Sequence, residues 1–228
     1  MSYEAIRIFP LGDAALTVEF GTGISAAINK KAINFGRYFE LNPFAGFIEA
    51  VPAYSSATLF YDLAAVRRSF PQFPTAFAAV KSLAVAAINE RMEGPVDEPR
   101  TIEIAVRFDR RSALDLDYVA ENSGLSTEKV LEIFTAVTYR VFMLGFLPGF
   151  SYMGEVDDRI AIPRKTAPRL IVPKGSVGIA GKQAGIYSLE SPGGWQILGR
   201  TDLKMFTPKT ETPSLLRPGD HVRFIAVK

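Results

Sequence analysis

The sequence predicts an α+β protein: a small N-terminal α+β sandwich domain, residues 1–94, followed by a second domain, residues 95–228, of short strands forming a sandwich or barrel. Three observations carry this. Strand-like and helix-like periods alternate up to about residue 92. Residues 93–99 (EGPVDEP) are polar, proline-bearing and aperiodic, as an interdomain linker is. From Tyr139 onward, turns and short alternating segments replace helical periodicity.

In order, residues 5–10 and 14–20 read as a hairpin turning at Leu11-Gly12-Asp13. Ser25 is placed to cap a helix reaching about Asn42, with Ile24, Ile28, Ala32, Phe35 and Phe39 as its apolar stripe and Pro43 as its stop. Residues 47–53 and 58–61 form a second strand pair. Residues 75–92 form a second helix with Phe77, Val80, Leu83, Ala84 and Ala87 inward. Beyond the linker, residues 101–108 alternate as a strand, and 116–121 and 128–137 read as two short helices.

That helix pair has the spacing of a DNA-reading helix-turn-helix, including a Ser-capped second helix, but its charge is wrong. Asp115, Asp117, Glu121, Glu128 and Glu132 oppose only Lys129, whereas a phosphate lattice calls for cations. A structural helix pair is expected, with no nucleic acid partner. Net charge is only +2 over 228 residues. No apolar run approaches the ~20 residues of a membrane span, and the first residues lack a signal-peptide pattern, so a cytoplasmic protein is expected.

Zero cysteines exclude disulfides, thiolate metal sites and thiol nucleophiles. The single histidine, His221, is the only ring available to a Ser-His-Asp triad. It reads instead as the start of a last strand after a turn.

The chemistry concentrates in residues 145–200, which hold ten of the 18 glycines. In GFLPGF, Pro148 and Gly149 suit the second and third positions of a type II turn presenting Phe146, Phe150 and Tyr152, either as a functional lip or as a plug for a barrel end. Arg164, Lys165 and Arg169 lie between prolines, followed by Lys174, Gly175 and Ser176. Rigid loops of this kind preorganise cations for carboxylate or phosphate, and a solvated basic loop is the plainer reading. Residues 175–181 (GSVGIAG) lack the GK[ST] ending of a phosphate loop and read as a strand of small residues, open to another backbone or a flat ligand. SPGGW reads as a hairpin tip that exposes or seats Trp195.

The motifs GFxPGFxY, PRxxxPRxxVPxGSVGIAGxQxGIY and SPGGWxxxGRT, in this order and spacing, resemble the family of KipI, 5-oxoprolinase subunit PxpB and allophanate hydrolase subunit 1. The resemblance implies that the C-terminal domain is a cyclophilin-like β-barrel. It also implies partners, a KipA/PxpC-like subunit and a PxpA-like subunit, with a ligand site between halves. The implied activity is an ATP-dependent 5-oxoprolinase, an amide (lactam) hydrolase converting 5-oxo-L-proline to L-glutamate, with this chain inactive alone. MgATP is used by the complex rather than held tightly here. Two alternatives accompany it: a protein inhibitor of a sensor histidine kinase, in which Phe146, Pro148 and Phe150 dock, and a subunit acting on urea or allophanate-type amides.

On this reading Arg164, Arg169, Lys174 and Arg200 supply positive charge, and free backbone donors at Gly175, Ser176, Gly181 and Gly193 receive a carboxylate or amide carbonyl. Gln183 and Tyr187, from the motif AGxQxGIY, join Phe146, Pro148, Gly149, Phe150, Tyr152 and Trp195 as substrate-binding candidates. No catalytic residue is assigned. Glu155, Asp157 and Asp158 read as a solvated acidic turn, so no metal site is expected in the block. The sequence departs from the family pattern at Phe134, where the family carries histidine, and the imidazole chemistry is absent there.

Overall fold

The computed structural model describes residues 6–90 and 99–227. The chain divides into two compact units, Met1–Glu98 and Pro99–Lys228. Ala5, Met92 and the linker residues before Pro99 lie outside the described residues, as does the expected boundary at 94/95.

In the first unit, β1 (Arg7–Pro10) and β2 (Ala15–Glu19) form the expected antiparallel hairpin. Helix α1 (Ala26–Leu41) starts where the Ser25 hydroxyl accepts a hydrogen bond from the Ile28 amide, and it stops before Pro43. Strands β3 (Phe47–Pro52) and β4 (Ser56–Tyr61) pair antiparallel, giving the sheet order β1-β2-β4-β3. Two further helices follow: α2 (Leu63–Ser69), capped by Asp62, and α3 (Ala76–Asn89), capped by Thr75. Leu16, Val18, Ala57 and Leu59 of the sheet bury with Phe35, Phe39, Val80 and Ala84 of the helices. Two expectations are corrected. Ile24 precedes the cap, lies off the helical stripe and is exposed. Helix α2 is an added element, invisible to periodicity because seven residues are too few to show a stripe.

The second unit is a closed barrel. Its strands are β5 (Thr101–Arg107), β6 (Thr138–Leu144), β7 (Ser151–Gly154), β9 (Ser176–Ala180), β10 (Gln183–Ile186), β12 (Gln196–Arg200) and β13 (His221–Val227), in the order β10-β7-β6-β13-β5-β12-β9. The β13–β5 pair is parallel. Strands β8 (Arg169–Val172) and β11 (Ser191–Gly193) make a separate two-stranded ribbon. Val141, Met153, Val177, Ile179, Ala184 and Ile186 belong to the core that fills the barrel.

Helices α4 (Leu116–Ser123) and α5 (Thr127–Ala136) are separated by Gly124 at φ 65° and the Ser126 cap. Their apolar positions, Val119, Ala120, Val130, Ile133 and Phe134, join the barrel core, so the pair packs as a structural element. His221 begins β13, opposite Thr101 and Arg140.

Candidate functional site

Alternation along the strands decides which face carries the site. Met153, Ala184 and Ile179 are mutual register partners and point into the barrel. Their neighbours Tyr152, Gly185 and Gly178 are also mutual partners and therefore share the opposite, outer face. A second apolar cluster covers that outer face: Phe150, Val172, Ala180, Tyr187, Trp195 and Ile197, with Leu147 and Tyr152 packed against it.

The glycines make room for it. A Cβ on Gly185 would lie 2.9 Å from the Trp195 ring and 3.0 Å from Phe150 Cζ, and one on Gly178 would lie 2.9 Å from the Gln196 carbonyl oxygen. The space left by these small residues is thus filled from within the chain, by rings and by the neighbouring strand. Phe150 is the hub, with ring centroids 4.8 Å from Tyr152, 5.3 Å from Tyr187, 5.4 Å from Phe146 and 5.5 Å from Trp195, all edge to face.

The turn before Phe150 has the expected form. The Phe150 amide donates to the Leu147 carbonyl at 3.0 Å, and Gly149 has φ +77°. Gly149 also lies where a Cβ would meet the Met205 carbonyl oxygen at 2.8 Å. Phe146 sits at φ +68° and is 61% exposed, whereas Phe150 and Trp195 are buried. The turn therefore seats Phe150 in the outer-face cluster, not in a barrel end, and holds Phe146 out.

Above Trp195 stands Arg164, its Cζ 5.7 Å from the ring centroid. Among the described residues it has no carboxylate partner. The other cations of the loop differ. Arg169 forks onto Asp115 at 2.6 and 2.8 Å, and Lys165 Nζ reaches the same carboxylate at 2.9 Å. Arg200 Nε donates to the Lys174 carbonyl at 3.0 Å, and neither of these two cations contacts a ring among the described residues. Gln183 lies on the outer face with Tyr152, and Arg140 is its neighbour across Gly154.

The expectation of free amides is corrected at Gly175, Ser176 and Gly181. The Gly175 amide donates to the Tyr187 carbonyl at 2.6 Å, that of Ser176 to Pro173 at 3.2 Å and that of Gly181 to Ile162 at 2.8 Å, because barrel closure and the flanking turns consume them. Gly193 has a steric task, since a Cβ there would fall 2.2 Å from the Tyr187 hydroxyl oxygen. Gly175, at φ +80°, passes so close to the Thr201 carbonyl that a Cβ would lie 2.1 Å away.

Burial raises the Tyr187 phenol, with a backbone hydrogen bond from Trp195 and the Arg164 charge pulling the other way. Tyr152 is likewise raised by burial against Arg164. Both phenols therefore stay protonated at neutral pH. Asp115 is raised by desolvation, but hydrogen bonds from Arg169, the Ile197 amide and Lys165 outweigh this and hold it below the usual carboxylate range. In the sequence it stands out only as part of an acidic helix pair.

The acidic turn is paired: Asp157 is held at about 2 by Arg159, and Asp158 meets Lys182 at 2.7 Å. Among the described residues no group of three or more His, Asp or Glu side chains is placed to hold a metal ion, and no helix is long and apolar enough to cross a membrane.

Residues 6–216 match the family described as carboxyltransferase domain, subdomain C and D. The chain belongs to this family. Within this carboxyltransferase group it is 42% identical to the B subunit of 5-oxoprolinase from Bacillus subtilis (strain 168), across 97% of this chain and 92% of that protein. The corresponding 5-oxoprolinase B subunit of Escherichia coli O157:H7 is 36% identical across 99% and 98%. The crystal structure of TTHA0988 superposes with a TM-score of 0.79 at 37% identity, covering 98% of this chain but only 40% of that longer one.

Proposed function

We propose that this chain is a subunit of an ATP-dependent 5-oxoprolinase, working with a KipA/PxpC-like and a PxpA-like subunit. The observation that carries the reading is the near full-length identity to proteins named as the B subunit of 5-oxoprolinase. The match to two fifths of TTHA0988 adds that such a chain also occurs joined to further sequence.

The outer barrel face suits one half of a shared site. Half-buried Tyr152 offers ring surface, buried Trp195 backs it, and exposed Arg164 offers a guanidinium not committed to an acid. A flat, five-membered lactam bearing a carboxylate matches that pair: the carboxylate meets Arg164 and the ring lies near the aromatics. The hydroxyls of Tyr152 and Tyr187 stay neutral, so they donate or accept hydrogen bonds without removing a proton from water. Opening the lactam breaks the ring C–N bond as water adds, and the groups that activate that water are assigned to the partner subunits.

We infer that MgATP is held by the partner subunits rather than by this chain. The Gly175, Ser176 and Gly181 amides are spent inside the fold and offer no donors to a phosphate. Phosphoryl transfer is therefore also assigned to the partners.

The test is glutamate release from 5-oxoproline and ATP, with this chain and its cognate subunits mixed and shown to assemble. Release is expected from the full set and not from this chain alone. An assembled complex that releases none sinks the proposal. Turnover of urea in place of 5-oxoproline would reassign the substrate. A pull-down returning a histidine kinase without those subunits would favour the inhibitor reading.

A further inference from the structure

Arg164 makes no ion pair of its own among the described residues, yet the residues on both sides of it are tied down. The Pro163 carbonyl accepts from Gln196 Nε2 at 2.9 Å, and the Lys165 amide donates to the Gly194 carbonyl at 2.7 Å. The side chains of Lys165 and Arg169 converge on Asp115, which is only 3% exposed. The same carboxylate accepts from the Ile197 amide at 2.7 Å, while the Asp115 amide donates to the Ile197 carbonyl at 2.8 Å. Ile197 stands two residues beyond Trp195.

One buried side chain therefore grips both halves of the cation–π pair. It holds the loop carrying Arg164 through Lys165 and Arg169, and strand β12, which Trp195 directly precedes, through Ile197. The charge balance also matters. Asp115 offsets one of the two cations it binds, so the loop keeps a net positive charge beside Arg164.

We infer that Asp115 is the positioning residue of the site, fixing the 163–169 loop so that the Arg164 guanidinium rests over Trp195, ready for an anionic ligand. Asp115 touches no ligand itself and acts through the loop. This rests on the reading of the Arg164–Trp195 face as a ligand site, and the measurements below separate the two.

Trp195 is the only tryptophan of the chain, so its fluorescence reports this spot without partners. In the full chain, Asp115→Asn, shown folded by circular dichroism at 25 °C, is expected to raise acrylamide quenching of Trp195 by roughly two- to fivefold as the cation–π lid loosens. Arg164→Ala should give a similar rise, and the double variant no more than Arg164→Ala alone, because both changes remove the same lid. Wild-type quenching in Asp115→Asn, or summed effects in the double variant, overturns the inference. Should Asp115→Asn not fold, Arg169→Gln removes two of the carboxylate's four bonds and leaves Lys165 in place. The same rise is expected from it, and unchanged quenching is again fatal.

In the assembled enzyme Asp115→Asn should raise KM more than it lowers kcat, and Asp115→Glu should recover part of the loss. A KM untouched by Arg164→Ala would remove the ligand-site reading, while the quenching data would still decide whether Asp115 holds Arg164 in place.

Discussion

Replacing Gly185 by alanine tests whether the glycines of the barrel exist to seat rings. The added Cβ would approach Trp195 Cζ3 at 2.9 Å, Phe150 Cζ at 3.0 Å and the Ser151 carbonyl oxygen at 3.0 Å. The carbonyl cannot retreat, because Ser151 opens β7 and pairs with Ile186. The rings have little space either, Phe150 being 1% and Trp195 4% exposed. Overpacking of this kind costs about 1–3 kcal/mol. Against it, alanine narrows the unfolded ensemble and returns about 0.4–1 kcal/mol. A net loss of about 1–2 kcal/mol lowers Tm by roughly 3–8 °C for a unit of this size. Thermal unfolding followed by Trp195 fluorescence reads the barrel unit specifically, since the first unit has no tryptophan. Gly145→Ala is the control in the same unit: φ there is not positive, the nearest atom to a Cβ is the flexible end of Met143 at 3.4 Å, and stability should hold or rise by about 0.4–1 kcal/mol. An unaltered or higher Tm in Gly185→Ala would refute the claim that the rings occupy the glycine's space.

Arg164→Ala should change stability by less than about 0.5 kcal/mol because the side chain is exposed. In the assembled enzyme it should raise KM for 5-oxoproline roughly 10- to 100-fold, the loss of a charge-assisted hydrogen bond. Asp115 has a folded pKa below its unfolded value of about 3.9, so its contribution to stability is present above that value and is lost as pH falls through the folded one. Acid unfolding monitored at Trp195 should therefore steepen below about pH 4, and Asp115→Asn should flatten that limb. Phe134→Ala should cost about 3–5 kcal/mol, read by denaturant titration, since it empties a fully buried ring site.

The parts of the fold that are legible in the sequence are those written in neighbouring residues. Ser25, the apolar spacing of Ala32, Phe35 and Phe39, and Pro43 mark α1 within a residue or so of its bounds. Pro148-Gly149 specifies a turn whose geometry depends on four residues. What stays hidden depends on register. A glycine that clears space for a ring and a glycine that presents its amide look alike in sequence, and only the pairing of Gly185 with Tyr152 and Gly178 reveals the first. The carboxylate that organises the basic loop is likewise remote. Asp115 and Arg169 are 54 positions apart, so a cluster of cations between prolines cannot be told from a solvated loop until its buried partner is seen. Arg164 keeps its proposed part, whereas Arg169 is engaged as a brace.

Phe134 bears on whether the departure from the family's histidine signals altered chemistry. Its ring is fully buried and stacked on Phe224 at 5.0 Å and 13°, with Tyr139 at 5.3 Å and Phe108 edge-on at 6.5 Å. The Tyr139 hydroxyl donates to the Phe134 carbonyl at 2.9 Å, and burial pushes that phenol far up, so no ionisable group in this stack titrates near neutrality. The stack belongs to the core inside the barrel, while Phe150, Tyr187 and Trp195 form a different cluster on the outer sheet face. Phe134, on α5, thus packs in a different cluster from the rings beside the proposed Arg164 site. The phenylalanine therefore fills the barrel-side core, and on the proposed reading substrate preference rests with Arg164, Tyr152 and the loop that Asp115 holds.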